Sequence, residues 1–189
     1  IILALLVAAV FPLSAAAQAI TAPYSQNFSS GPLGPEWSVT STGTGRVTIG
    51  TAPSASPISG GNALLFDGTT NASAYVNKAR LKVDLNGASG VTLKYWAREA
   101  SDEPDADDGL FISDGAQTVL AVSHQSLTST WTEIQVDVGM VLAANGMAIG
   151  GMIDIIFSQA DNYPIPTDGL CIDDIVVLPP PIPDSGQAN

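Results

Sequence analysis

Residues 79–98, ARLKVDLNGASGVTLKYWAR, decide the fold class of this chain. Over Ala79–Leu85 every second residue is apolar, and Arg80, Lys82 and Asp84 lie between them. Val91–Arg98 alternates in the same way. A period of two is typical of a strand that buries one face. Because Asn86-Gly87 is a strong turn signal, the stretch predicts two strands separated by a tight turn.

The same pattern recurs on both sides of this stretch, in short apolar or alternating runs bounded by Gly, Pro, Asn or Asp. The further predicted strands are Tyr24–Phe28, Trp37–Thr40, Arg46–Ile49, Ala63–Asp67, Ala72–Val76, Leu110–Ser113, Thr118–Ser123, Trp131–Val138, Met152–Phe157 and Leu170–Leu178. Trp37–Thr40 and Arg46–Ile49 are predicted to form a loose pair, as are Ala63–Asp67 and Ala72–Val76. One helix is predicted at Met140–Asn145. Many short strands without helices between them indicate an all-β antiparallel sandwich.

Both ends of the chain are predicted to lie outside the sandwich. Residues 1–17 combine an apolar run with Ala15-Ala16-Ala17, which is typical of a secretory signal peptide clipped at its N-terminus. Cleavage after Ala19 is the alternative, and a membrane anchor is the competing interpretation. The sandwich is expected over residues 18–178. The Pro-rich segment 179–189 is expected to be a linker to a further domain or a tail.

The charge of the chain restricts its partners. Eighteen acidic and six basic residues give a net charge of −12. This charge disfavours nucleic acid and anionic membranes, which select for Lys and Arg. It fits a secreted, extracellular or cell-surface protein. No membrane span is expected in the mature chain.

Cysteine and histidine offer little chemistry. Cys171 is the only cysteine, so no internal disulfide can form, and its apolar surroundings predict a small core residue. His124 is the only histidine and is predicted at a strand end or in a loop. No Ser/His/Asp set with motif support, metalloprotease motif or phosphate loop is present. An enzyme is therefore not expected.

Two acidic stretches could form sites. The stretch 161–177, DNYPIPTDGLCIDDIVV, places Asp161, Asp168, Asp173 and Asp174 next to an apolar strand. Carboxylates in such a frame need a metal ion, a ligand or a dense set of backbone amides. Adjacent strand residues point to opposite faces, so one of Asp173 and Asp174 is expected to face the core side.

The second acidic stretch, residues 102–109, follows the VTLKYWARE strand. Asp102, Glu103 and Asp108 have the composition of a calcium loop, but the spacing is not that of an EF-hand. A solvated turn is the alternative interpretation.

Several motifs together resemble the MAM-like, cleaved-adhesin and "choice-of-anchor" domains of bacterial secreted proteins. They are NFSSGPLGPEW, GGNALLFDG, VTLKYWAREASDE, DDGLFISDG, TSTWTEIQVDV and IIFSQADNYPIPTDGLCIDDIVV, spanning about Tyr24–Val177. The resemblance implies a concanavalin A-like jelly-roll β-sandwich, with calcium bridging the first turn and the last strand. Where that family has an acid pair around a Phe, Asn27 and Ser29 flank Phe28. The expected calcium ligands are therefore Asp67, Asp173 and Asp174, with Asp102, Glu103 and Asp108 second.

The resemblance implies a noncatalytic binding or adhesion module, with an extracellular glycan or a surface protein as its partner. Asp161, Tyr163 and Asp168 are the expected ligand-binding residues, because an exposed Tyr163 could stack on a sugar ring. Trp37, Trp96 and Trp131 are expected in the core. The alternatives are a structural spacer of a larger surface protein and, less favoured, a polysaccharide-active enzyme.

Overall fold

Two antiparallel sheets pack face to face in the computed structural model, which describes residues 17–29, 31–52, 56–99, 105–165 and 167–180. The strands are β1 (Tyr24–Gln26), β2 (Trp37–Ser41), β3 (Gly45–Gly50), β4 (Ala63–Gly68), β5 (Tyr75–Asp84), β6 (Thr92–Glu99), β7 (Gly109–Ser113), β8 (Thr118–Ser123), β9 (Thr132–Asp137), β10 (Met152–Asp161) and β11 (Leu170–Leu178). The short helix α1 covers Val138–Ala144. The predicted signal segment and the C-terminal prolines fall largely outside the described residues.

The five-stranded sheet has the order β2-β5-β10-β7-β8. The six-stranded sheet has the order β3-β4-β11-β6-β9, and β1 pairs with β11 beside β4. All of these pairings are antiparallel, and the first and last strands of the described chain lie side by side. The predicted jelly-roll β-sandwich is confirmed.

Two predicted pairings are wrong because neighbouring strands enter opposite sheets. β2 pairs with β5, whereas β3 pairs with β4. Of the predicted partner of β4, Ala72–Val76, only Tyr75 and Val76 are in a strand, and they belong with residues 79–84 to the single ten-residue strand β5. The Asn86-Gly87 turn forms, with φ values of 48° and 80°, but it carries the chain from one sheet to the other. Alternation identifies strands, and burial against the opposite sheet decides which strands pair.

The core lies between the sheets. Leu81 and Val83 of β5 and Leu93 and Tyr95 of β6 are fully buried, as their alternation predicts. Phe157 of β10 packs edge-on against Tyr95, with 5.1 Å between ring centroids. Trp37 lies in this core, as expected. The same expectation is wrong for the other two tryptophans: Trp96 and Trp131 are partly exposed on the outer side of the six-stranded sheet.

Candidate functional site

The predicted metal ligand Asp67 is held by an ion pair. Register places Arg46 of β3 opposite Asp67 of β4. The Arg46 guanidinium donates to both carboxylate oxygens, with 2.6 Å from Nε to Oδ1 and 2.8 Å from the terminal nitrogen to Oδ2. The backbone N–H of Ile165 donates to Oδ2 as well. A carboxylate engaged in this bidentate way is poorly suited to ligate calcium.

A β-bulge changes the prediction for Asp173 and Asp174. The pairing of β11 with β6 shifts register between Asp173 and Val176, and Asp174 has φ 46°. The bulge places both aspartates on the outer side of the sheet, so the expected core-facing carboxylate is absent between Ile172 and Ile175, which both face the core. One residue added to a strand re-aims the side chains beside it.

Backbone amides satisfy Asp173. Its Oδ2 accepts from the N–H groups of Ile58 at 2.8 Å and Ser59 at 3.2 Å, and its Oδ1 accepts from the N–H of Asp174. Burial raises the pKa of Asp173, and these amides oppose the increase. The Ser59 hydroxyl also donates to Asp174. A metal ion, a ligand or a dense set of backbone amides can satisfy such a carboxylate, and Asp173 is satisfied by the amides.

We call the segment that supplies these amides, described over residues 56–61, the strap. Its Ser56 carbonyl accepts from the Trp131 indole N–H at 2.9 Å. The Trp131 ring also faces the Arg98 guanidinium, 5.9 Å from the ring centroid. The strap therefore covers part of the outer side of the six-stranded sheet.

A small apolar cluster lies on the same side of the six-stranded sheet. Cys171 packs there against Ala52 and Ala63, and burial raises the pKa of its thiol to about 12. The prediction of a small buried residue is confirmed.

In the second acidic stretch, Asp108 is buried at the beginning of β7. It accepts from the N–H of Ala160 at 2.8 Å and of Asp105 at 2.7 Å. Burial raises the pKa of Asp108 to about 6, against the effect of these amides. Asp102 and Glu103 lie outside the described residues, so their role stays a prediction.

Of the three predicted ligand-binding residues, Asp161 is the last residue of β10, and Tyr163 and Asp168 lie in the loop between β10 and β11. Asp161 is buried and accepts from Gln159 Nε2 at 2.7 Å and from the N–H of Tyr163 at 3.2 Å. Asp168 is buried and accepts from the N–H of Gly169. Tyr163 is half-buried, and its carbonyl accepts from the Tyr75 hydroxyl at 2.6 Å.

The expected calcium ligands do not fit a common ion as they are arranged. Arg46 occupies Asp67, the strap amides occupy Asp173, and Asp108 lies beside β10 of the other sheet. Over the described residues, no three or more His, Cys, Asp or Glu side chains form a group that could hold a metal ion.

A groove missed by the site predictions lies on the outer side of the six-stranded sheet, next to the strap. We call it the Trp96 groove. Its volume is about 450 Å³, and it is lined by Ser25, Asn27, Lys94, Trp96, Glu133, Asp174 and Val176. Register places Glu133 of β9 directly opposite Trp96. The alternation of Val91–Arg98 already placed Trp96 on the face opposite Tyr95, so this signal could have identified it.

The Trp96 groove combines an aromatic face with hydrogen-bonding groups. Trp96 supplies an apolar ring, Lys94 supplies donors, and Glu133 and Asp174 supply acceptors. An apolar wall with a few placed polar groups is typical of sites for small polar ligands.

Helix α1 has seven residues, and none of the helices in the described ranges has the length and hydropathy of a membrane-spanning segment.

No family model matches the chain, and neither does any curated protein. Among solved structures, one from a study of promiscuous carbohydrate-binding modules of the β-sandwich superfamily aligns with a TM-score of 0.54 and 16% identity. That alignment covers 80% of this chain and 60% of the other. The CBM22-1–CBM22-2 tandem domain of Paenibacillus barcinonensis Xyn10C aligns with a TM-score of 0.54 and 18% identity, covering 91% and 50%.

The K1 cleaved adhesin domain of Lys-gingipain from Porphyromonas gingivalis W83 aligns with a TM-score of 0.50 and 16% identity, covering 82% of this chain and 96% of that domain. At these identities the comparisons establish architecture and not a ligand. A specific assignment to the MAM-like or "choice-of-anchor" domains stays a prediction. The chain shares its β-sandwich fold with carbohydrate-binding modules and with a cleaved adhesin domain.

Proposed function

We propose that this protein is a secreted, noncatalytic module that binds carbohydrate at the Trp96 groove. The observation that carries the proposal is Trp96 itself, an outward-facing indole flanked by Lys94, Glu133 and Asp174. The apolar face of a pyranose ring stacks on an aromatic ring, while its hydroxyls need donors and acceptors at the edge. Similarity to carbohydrate-binding modules supports this class of ligand.

The geometry of β11 supports the same site. Asp174 has a left-handed backbone conformation that is uncommon for a residue with a side chain. The bulge and the Ser59 hydroxyl together hold its carboxylate at the groove. Strained residues and bulges are frequent where a strand must aim a side chain at a ligand.

The test compares two aromatic residues. The purified protein is applied to an array of neutral and charged glycans, and the best ligand is then titrated by calorimetry. We expect Trp96→Ala to weaken binding about fivefold or more, because an aromatic side chain stacked on a ring contributes about 1–3 kcal/mol in the case of nucleic-acid bases. Tyr163→Ala is the matched control and should bind as tightly as the parent protein.

Other outcomes would contradict the proposal. Loss of binding in Tyr163→Ala, with Trp96→Ala unchanged, would move the site to the loop that the sequence predicted. An array without any bound glycan would favour the spacer function. Glu133 and Asp174 both border the groove, so release of reducing sugar from the bound glycan would show a polysaccharide-active enzyme instead.

A further inference from the structure

In the Trp96 groove the indole ring lies between two carboxylates. Register places Glu133 of β9 directly opposite Trp96, on one side of β6. On the other side of β6, Asp173 of β11 is opposite Trp96, and the bulge that follows brings Asp174 into the lining of the groove. Adjacent strands lie about 4.8 Å apart. The three strands therefore present a carboxylate, an aromatic ring and a second carboxylate side by side.

The charged side chains of the groove differ in their partners. The Asp174 carboxylate accepts from the Ser59 hydroxyl. In the ranges that the structure describes, the Glu133 side chain has neither a hydrogen bond nor an ion pair, and the same holds for Lys94. The charged groups that line the groove are thus two carboxylates and one ammonium group, with a net charge of −1.

The surroundings of the groove add to this negative charge. Asp173 lies under the strap beside the groove. Asp137 lies on the same side of β9 as Glu133, because side chains alternate along a strand. Arg98, two residues beyond Trp96, is buried and faces the Trp131 ring. The whole chain has a net charge of −12, and a field of that sign concentrates cationic ligands and repels anionic ones.

We propose that the glycan bound at the Trp96 groove carries free amino groups, as a chain of glucosamine units does; this inference rests on the proposed function of the groove. A ligand ammonium group over an indole is attracted by the negative face of the ring. The same group donates charge-assisted hydrogen bonds to the carboxylates of Glu133 and Asp174. A neutral glycan leaves the Glu133 charge unpaired, and an anionic glycan meets two like charges.

Three oligosaccharides test the amino group separately from the sugar ring. Hexamers of glucose, N-acetylglucosamine and glucosamine with the same linkage differ at the second carbon of each ring, which carries a hydroxyl, a neutral acetamide or an ammonium group. Calorimetric titrations are carried out in mildly acidic buffer, in which the sugar amine is protonated. We expect the dissociation constant of the glucosamine hexamer to be about tenfold lower than those of the other two.

Two results separate this inference from the proposed function. Equal dissociation constants for the three hexamers would overturn the preference for amino sugars and leave carbohydrate binding at the groove intact. The same conclusion would follow if none of the hexamers bound while another glycan of the array did so through Trp96. Failure of every glycan to bind would overturn both proposals.

Variants of the same shape remove the charges of the groove one at a time. Glu133→Gln and Asp174→Asn should each weaken binding of the glucosamine hexamer several-fold and leave binding of the glucose hexamer unchanged. Asparagine tolerates the left-handed backbone at position 174, so the bulge is kept. Lys94→Met removes the competing cation and should strengthen binding of the glucosamine hexamer. Weaker binding in Lys94→Met would overturn the inference.

A matched control separates a specific site from general attraction to an acidic protein. Asp137→Asn removes one negative charge from β9 outside the groove, and asparagine still caps helix α1. This variant should keep the full preference for the glucosamine hexamer. An equal loss of affinity in Asp137→Asn and Glu133→Gln would show that only the overall charge matters. Binding of the glucosamine hexamer that persists in Trp96→Ala would overturn the inference for the same reason.

Discussion

At the scale of single residues, His124 shows how far burial changes an ordinary side chain. Its sequence context predicts a strand end or loop, and it does follow β8, but it has no exposed surface. The Tyr95 hydroxyl lies 2.8 Å from its Nε2. Burial raises the pKa of Tyr95, so its hydroxyl stays protonated, and the direction of its hydrogen bond with Nε2 is set by the histidine tautomer. Burial lowers the pKa of His124 to about 4, so the ring is neutral at pH 7.

This lowered pKa predicts a loss of stability in mild acid. The unfolded chain binds a proton at His124 below about pH 6.5, and the folded chain binds one only near pH 4. The contribution is fully present above pH 6.5 and is lost as pH falls toward 4. It amounts to about 3 kcal/mol. Urea unfolding of the parent protein and of His124→Gln should show their free-energy difference shrinking by about this amount from pH 7 to pH 4.

The parent protein must be compared with His124→Gln because Asp108 changes the free energy of unfolding with pH in the direction opposite to His124. Burial raises the pKa of Asp108 to about 6, so its contribution is present below about pH 4 and is lost as pH rises through 6. This effect is common to the parent protein and His124→Gln, so it cancels in their difference. A difference that stays constant between pH 7 and pH 4 would contradict the lowered pKa of His124.

At the scale of elements, β11 organises the six-stranded sheet. It pairs with β1, β4 and β6, and its bulge positions Asp173 under the strap and Asp174 at the Trp96 groove. The sequence predicts that the four aspartates around this strand need hydrogen-bonding or ionic partners. The bulge cannot be predicted from the sequence, because register shifts depend on the neighbouring strand.

Removing the Asp173 carboxylate should release the strap. In Asp173→Ala the N–H groups of Ile58 and Ser59 lose their acceptor, and each unpaired donor costs about 1–3 kcal/mol. We expect a lower free energy of unfolding and faster amide hydrogen exchange at these two residues. Leu120→Ala, on an exposed position of β8, is the control and should change neither. Unchanged exchange in Asp173→Ala would show that the strap is held by other contacts.

At the scale of the whole molecule, charge is distributed unevenly over the sandwich. Three of the six basic residues, Lys78, Arg80 and Lys82, line the outer side of β5. They form ion pairs at the surface, two with the mostly buried Asp154 and one with Asp107. Such pairs contribute little to stability. The net charge of −12 therefore acts mainly through repulsion between carboxylates.

Screening this repulsion should stabilise the protein. We expect the melting temperature in EDTA to rise by a few degrees when the NaCl concentration increases from about 10 to 150 mM, over which the Debye length falls from about 30 to 8 Å. KCl at equal ionic strength is the control and should have the same effect. A melting temperature that falls with salt would show that attractive ion pairs outweigh the repulsion.

Alternation and turn residues act over a few neighbouring positions, so the strands, the sandwich and the short helix near Gly146 can be predicted from the sequence. Which sheet each strand joins, and therefore which side chains meet, depends on packing between segments that are distant in sequence. Residues of different strands lie side by side in this way: Trp96 is next to Glu133 and Asp174, and Asn77 is next to Gln159. Asp173 binds backbone amides because the strap covers it, and His124 is neutral because the opposite sheet buries it. No local sequence pattern shows either burial.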